Sequence, residues 1–388
     1  SPPLDEHGFP VPPTFDDPVS PGPGSHALLI VFRAGLVLAF VGLLLALLYR
    51  LPLRGAVNDW LAPKPLKAAR QKQAQGDVQG ALAEVDRAAL LLPNDPRVYD
   101  LRARLKLEAN DVEGGLEDFN KLVQLTPREP YAYVGRSVAY RRLERHHEAI
   151  EDLTKAIALS PNDTALYDFR ARLKLEVGDV EGGLEDYNEL VRRAPREANV
   201  YVARSFAYQR LRRHREAIDD LTKAVALSDG SLPRNNRAYA RAQAGIELHE
   251  AMIDVEQALV MNKQELQQAE QSGLGAPPAE RLIAAHLKVW KAAYLDTRGY
   301  LFFLQQNYES ALADLDEAIE LAIQAQTIVL PLTPLAERAE YARQLDHNLS
   351  VMHYHRGQTL EKLGHEREAK SDLYRARQLG YNPALGVF

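Results

Sequence analysis

The chain of 388 residues contains no cysteine. That excludes disulfides, thiolate metal sites and cysteine nucleophiles, and it leaves the redox compartment open. A surplus of positive charge is also missing. The formal net charge is −6, and Asp5, Glu6, Asp16 and Asp17 near the start supply four of those negative charges. A near-neutral remainder argues against nucleic acid as a partner. There is no P-loop, no GxSxG and no HExxH. His146, His147 and Glu148 are expected in a solvated turn, and their counterpart further along reads Arg213, His214, Arg215, Glu216. His353 and His355 stand two apart on a helical pattern, so they face different directions and cannot share a metal. No catalytic residue, metal ligand or cofactor is expected.

What is present begins with a tail. Residues 1–25 are rich in proline and acid and poor in large apolar side chains. Such a segment cannot offset its own ordering entropy. It is either a flexible tail or an extended strip laid on a partner. Residues 26–50 are a different solvent class. Ala27 to Tyr49 is apolar but for Arg33. As a helix at ~1.5 Å per residue it is ~35 Å long, enough to cross a ~30 Å hydrocarbon core with some tilt. It is too long for a signal-peptide core and has no small-residue cleavage site, so a retained membrane anchor is expected. Arg50, Arg54, Lys64, Lys67, Arg70 and Lys72 follow it, whereas acids precede it. The positive-inside rule then places the body in the cytoplasm and the tail outside. Residues 51–61 are a short juxtamembrane linker.

The remainder is organised by repetition. Tyr99 to Glu129 returns sixty-eight residues later as Tyr167 to Glu197, with roughly three-quarters of the aligned positions identical. The intervening chain is related too: the segment from Tyr131 returns from Val200. The underlying period is therefore thirty-four residues, with a duplicated two-repeat block above it. Each unit carries two short amphipathic helical patterns joined by a tight turn. A fixed period of this kind predicts stacked hairpins rather than separate globular domains.

Small residues recur at Ala81, Gly115, Ala149, Gly183 and Ala217, tyrosines at Tyr99, Tyr133, Tyr167 and Tyr201, and prolines at Pro93, Pro127, Pro161 and Pro195. In these residues the chain resembles the tetratricopeptide repeat, at the family's positions 20, 4 and 32. The resemblance implies an all-α solenoid of about eight helical hairpins, here preceded by one transmembrane helix. Repeats one to six occupy 62–265. Repeats seven and eight, with inserts and extended helices, occupy 266–388. The inserts hold Pro331 and Pro334, and the chain ends on an apolar LGVF.

Repeats two to eight each carry an arginine on the first helix and an aspartate on the second: Arg102 and Asp118, Arg136 and Asp152, Arg170 and Asp186, Arg204 and Asp220, Arg237 and Asp254, Arg298 and Asp314, Arg356 and Asp372. A hairpin folded about position 15 brings each pair together as a structural ion pair. Repeat one has Ala68 and Glu84 there and should lack it.

The resemblance also implies a concave face lined by each unit's first helix, at positions 2, 5, 9, 12 and 13. Carried over, it presents Asp100, Arg104, Asp168 and Arg172 from repeats two and four. Repeats three and five present Tyr131, Val134, Val138, Val202 and Phe206. Alternating charged and apolar stripes suit a peptide or an amphipathic helix. The chaperone-adaptor pattern of lysine and asparagine at positions 5 and 9 is not found in any repeat. The expected function is a non-catalytic, membrane-anchored scaffold with protein partners, as an accessory subunit or assembly factor of a multi-subunit membrane complex. The alternative is a cell-envelope protein with its repeats outside. The bilayer is met through residues 27–49.

Overall fold

Aspartates and prolines punctuate the helices. Asp77 Oδ1 accepts a hydrogen bond from the Gly80 N–H at 2.8 Å and opens α2 (Val78–Leu91). Asp111 and Asp179 do the same for Gly114 and Gly182, opening α4 (Val112–Leu125) and α8 (Val180–Arg193). Each cap satisfies a donor that the first helical turn leaves without a partner. Pro96 and Pro130 stand in the first turns of α3 (Pro96–Glu108) and α5 (Pro130–Arg142), where the missing N–H is harmless.

The computed structural model describes residues 64–270, 278–333 and 335–381. Among the described residues there are sixteen α-helices and no strand. The others are α1 (Lys64–Ala74), α6 (His146–Leu159), α7 (Thr164–Glu176), α9 (Ala198–Arg210), α10 (His214–Leu227), α11 (Ser231–Ala244), α12 (Leu248–Glu270), α13 (Pro278–Leu304), α14 (Tyr308–Leu332), α15 (Leu335–Lys362) and α16 (Glu366–Gln378). The chain divides into two units, Ser1–Ala68 and Ala69–Phe388. Of the first, only the opening of α1 is described. None of the described helices is long and apolar enough to cross a membrane. The tail, the apolar stretch 27–49 and the LGVF end lie outside the described residues.

The second unit is an all-helical, tetratricopeptide-like solenoid. Each helix packs chiefly on its neighbours in the chain. In seven of the eight hairpins a single residue in the left-handed region closes the turn: Gly76, Asn110, Glu144, Gly178, Arg212, Gln306 and Gly364. The turn of repeat six is one residue longer and has two such residues, Gly245 and Glu247. The core repeats as well. Ala103, Phe119 and Leu122 form one cluster with Ala132 and Ala139 of the next unit. The helices approach closely at Gly135, where a Cβ would lie 2.3 Å from the Phe119 ring. Gly135→Ala would force that ring aside, at a cost of about 1–3 kcal/mol.

Two details depart from the sequence expectation. His146 and His147 do not lie in a turn; they begin α6, and Arg145 binds Glu148 at 2.9 Å. Pro331, in the second insert, is helical rather than part of a loop. It sits in the last turn of α14, and Arg338 caps the freed carbonyls of Pro331 and Thr333 at 3.2 Å each. The late helices are consequently longer than a standard hairpin arm. α15, besides packing on α14 and α16, also touches α13 and reaches back to α3. It therefore crosses from the last repeats towards the second.

Candidate functional site

The arginines and aspartates that recur by register meet inside each hairpin. Arg136 donates through Nε and a terminal nitrogen to the two oxygens of Asp152, at 2.6 and 2.8 Å. Arg204 grips Asp220 at 2.7 Å through both bonds. The same fork joins Arg102 to Asp118, Arg170 to Asp186, Arg237 to Asp254, Arg298 to Asp314 and Arg356 to Asp372. All seven aspartates are buried. The bond to its aspartate is the main reason each of Arg136, Arg204, Arg298 and Arg356 binds its proton more tightly than usual, against the opposing effect of burial. In repeat one Lys72 bonds Glu84 instead, at 3.0 Å.

Six of the seven forks do more than close their own hairpin. Their remaining guanidinium nitrogen reaches the second helix of the preceding repeat, which for Arg356 supplies Asp316. Arg102 bonds Asp86, Arg136 bonds Asn120, Arg170 bonds Thr154, Arg204 bonds Asn188 and Arg237 bonds Thr222. Tyrosine adds a second stitch across the same joint. The hydroxyls of Tyr99, Tyr133, Tyr167 and Tyr201 donate to the carbonyls of Pro93, Pro127, Pro161 and Pro195 at 2.7–3.2 Å.

The candidate partner-binding residues divide by charge. Arg104 bonds Asp100 at 2.9 Å, and Arg172 bonds Asp168 at 2.8 Å. These are pairs one helical turn apart rather than free charges. Their arginines are 55 and 70 % exposed, so each pair contributes little to stability and can be exchanged for a partner's charge at small cost. Tyr131 and Phe206 are each 40 % exposed. Val134, Val138 and Val202 are partly buried and pack against the hydrophobic clusters. The apolar stripe therefore offers two aromatic side chains, while its valines largely hold neighbouring helices.

Arg172, Val202 and Phe206 share one cavity of about 870 Å³. Its wall comes from the first helices of repeats four to six, from Tyr187 of α8, from Ala293 to Thr297 of α13, and from Gln344 to Met352 of α15. Asp100, Arg104, Tyr131, Val134, Val138 and Asp168 do not line it. Asp168 and Arg172 flank a smaller hollow with Arg141 and Glu176. Sequence reasoning missed Asn199, Asn235 and Tyr239. Continuing the register from Ser231 into repeat six would have reached the last two, at positions 5 and 9. It also missed the face of α15, for which the repeat gives no register. Burial pushes the Tyr187 hydroxyl at the cavity wall up to about 12.

His353 and His355 go to separate partners. His353 Nδ1 lies 2.9 Å from Asp372, and His355 Nδ1 lies 2.9 Å from Asp296 while its ring stacks on Tyr300. Among the described residues no group of three metal-binding side chains is assembled.

Residues 101–164 and 198–230 match family models described as tetratricopeptide repeat. No curated protein matches the chain. Among solved structures, a tetratricopeptide repeat protein from Parabacteroides merdae is 16% identical, with a TM-score of 0.48 over 83% of this chain and 94% of that one. MamA from Desulfovibrio magneticus is 20% identical, with a TM-score of 0.39 over 42% of this chain and 96% of that one. YrrB, described as a TPR protein with an unusual peptide-binding site, is 16% identical, with a TM-score of 0.38 over 44% and 87%. At these scores the superpositions carry no inference about function.

Proposed function

Starting from a chain whose residues 101–164 and 198–230 are tetratricopeptide repeats, we propose that it is a non-catalytic scaffold holding other proteins at a membrane. Stacked hairpins expose a long face made of many first helices, and such a face suits protein partners. One observation carries the reading. The exposed aromatics Tyr131 and Phe206 alternate along that face with the labile pairs Asp100–Arg104 and Asp168–Arg172. The anchor is residues 27–49, and the basic residues after it place the repeats in the cytoplasm. Its place is as an accessory subunit or assembly factor of a multi-subunit membrane complex.

Purification of the full chain in gentle detergent, followed by mass spectrometry, tests this. The expected result is a defined set of copurifying proteins, lost or weakened in the Tyr131→Ala/Phe206→Ala variant. A monomer that runs alone refutes the scaffold reading. A fixed ratio to the mature complex marks a subunit; association with intermediates alone marks an assembly factor. Alkaline phosphatase fused after Phe388 should be inactive, and strong activity reverses the topology.

A further inference from the structure

The large cavity offers many hydrogen-bonding groups and balanced charge. Two arginines and two acids line it, and each has a partner: Arg172 with Asp168, Arg210 with the Leu175 carbonyl, Glu176 with Arg141, and Asp296 with His355. The signs cancel, so an ion gains little there. Carboxamides dominate the remaining polar wall. Asn199, Gln209, Asn235, Asn236, Gln344 and Asn348 make no side-chain hydrogen bond among the described residues. His347 stands beside Asn348, and a neutral imidazole likewise carries one donor and one acceptor.

Two of the six are almost wholly enclosed. Gln209 is 3 % exposed and Asn235 is 6 % exposed. The Asn235 side-chain oxygen is cut off from solvent and has no partner, a state that buried polar groups ordinarily avoid. A half-turn of its carboxamide exchanges that oxygen with the amide nitrogen. The carboxamides also follow no register. On the repeats they stand at positions 2 and 12 of repeat five and at 5 and 6 of repeat six, while Gln344 and Asn348 are one turn apart on α15. A main chain laid along stacked repeats would be met by one position recurring from unit to unit. These groups instead converge from α9, α11 and α15 on one space that α13 bounds as well. Phe206 and Tyr239 add flat apolar surface to its wall. The volume, about 870 Å³, is within the ~300–1,000 Å³ range of small-molecule pockets.

The ligand that suits this wall is neutral, compact, and able to donate and accept on several sides. A hydroxyl does both, as does the carboxamide that would meet it. A sugar ring carries several hydroxyls around its rim and presents apolar C–H faces above and below, which match the apolar part of the wall. We infer that this cavity binds a neutral sugar of one or two rings, bridging the repeats and α15. The inference goes beyond the scaffold reading and does not depend on it: Asp100, Arg104 and Tyr131, named there for protein partners, lie outside the cavity.

The test uses the full chain in a detergent without a sugar head group, titrated by isothermal calorimetry. The probes are glucose, trehalose, sucrose, maltose and N-acetylglucosamine, with glucuronate as the charged counterpart. At least one neutral sugar should bind with a dissociation constant below about 1 mM, and glucuronate should bind at least about tenfold more weakly than that sugar. Asn199→Ala and Asn348→Ala, on facing walls, should each weaken binding about five- to tenfold, with the helical circular-dichroism signal intact. Neither side chain is buried, so neither change should disturb the fold. The inference is overturned if no neutral sugar of the set binds to the folded chain. It is overturned equally if glucuronate binds more tightly than every neutral sugar, or if neither variant weakens binding. Should one variant unfold, the other, together with the neutral-against-charged comparison on the unaltered chain, still decides. Copurification decides the scaffold reading separately.

Discussion

Arg204→Ala should damage the fold more than Arg170→Ala, although the two arginines occupy equivalent places. Both are strongly enclosed, with side chains 13 and 15 % exposed, and both face nearly inaccessible aspartates. Both also lose one bond to the preceding repeat, to Asn188 or Thr154. The difference lies in what remains. Asp186 keeps Lys174 at 3.0 Å, whereas Asp220 has no second cation among the described residues. Stranding a buried carboxylate costs about 3–5 kcal/mol, and a surviving ammonium beside it should reduce this to about 2 kcal/mol. Arg204 also lies over two tyrosines, Tyr201 and Tyr208, against one, Tyr167, for Arg170, which adds roughly 0.5 kcal/mol to the contrast. Urea unfolding followed by circular dichroism gives the midpoints. Hydrogen exchange in α7–α10 shows whether the loss is local, as a repeat array allows. Adding Lys174→Ala to Arg170→Ala should close the gap, with more than additive loss. The reasoning is refuted if Arg204→Ala is the milder change, or if Lys174→Ala adds the same amount with and without Arg170.

The turn geometry and the last repeat give two more tests. Glu144 is held at φ 58°, in the left-handed region, so Glu144→Gly should stabilise by about 0.5–1 kcal/mol and Gly178→Ala, at φ 86°, should destabilise by about as much; differential scanning calorimetry of both variants decides, and equal melting of the three proteins refutes it. Asp372 has its pKa lowered: burial raises it, but the bonds from Arg356 and His353 outweigh that. A lowered folded pKa gives stability that is present above the ordinary value of 3.8 and is lost as pH falls through the folded value. Asp372→Asn should therefore be less stable at neutral pH and lose less on acidification below roughly pH 4, with parallel urea curves refuting the assignment.

The thirty-four-residue register made much of the repeat body legible. It placed the arginines and aspartates on facing helices and the turn at position 15, because each depends only on distance along one hairpin. What it could not supply was the third guanidinium bond. The acceptors Asp86, Asn120, Thr154, Asn188 and Thr222 share one register position but change between aspartate, asparagine and threonine from one repeat to the next, so no one residue type marks it. The charged groove residues were legible as positions but not as pairs: Asp100 and Arg104 are one turn apart on one helix, a spacing that satisfies them locally. The cavity was hidden for a different reason. Gln344 and Asn348 reach it only because α15 folds back across the repeats, a long-range packing choice that no local pattern encodes.

The variety of those acceptors bears on how such a chain can grow. Every joint from Asp86 to Thr222 needs only some oxygen at one place on the earlier helix, while the arginine and aspartate of the later hairpin are complete in themselves. A block beginning at a hairpin boundary thus carries its own lock and asks little of whatever stands before it. Copying sixty-eight residues in frame leaves both new seams closed at once, with no compensating change elsewhere. Asp86 receives Arg102, and Thr154 receives Arg170, with the same geometry and different chemistry. The duplicated block could then drift on its exposed face, Phe206 standing where the earlier copy has Val138, without loosening the seams.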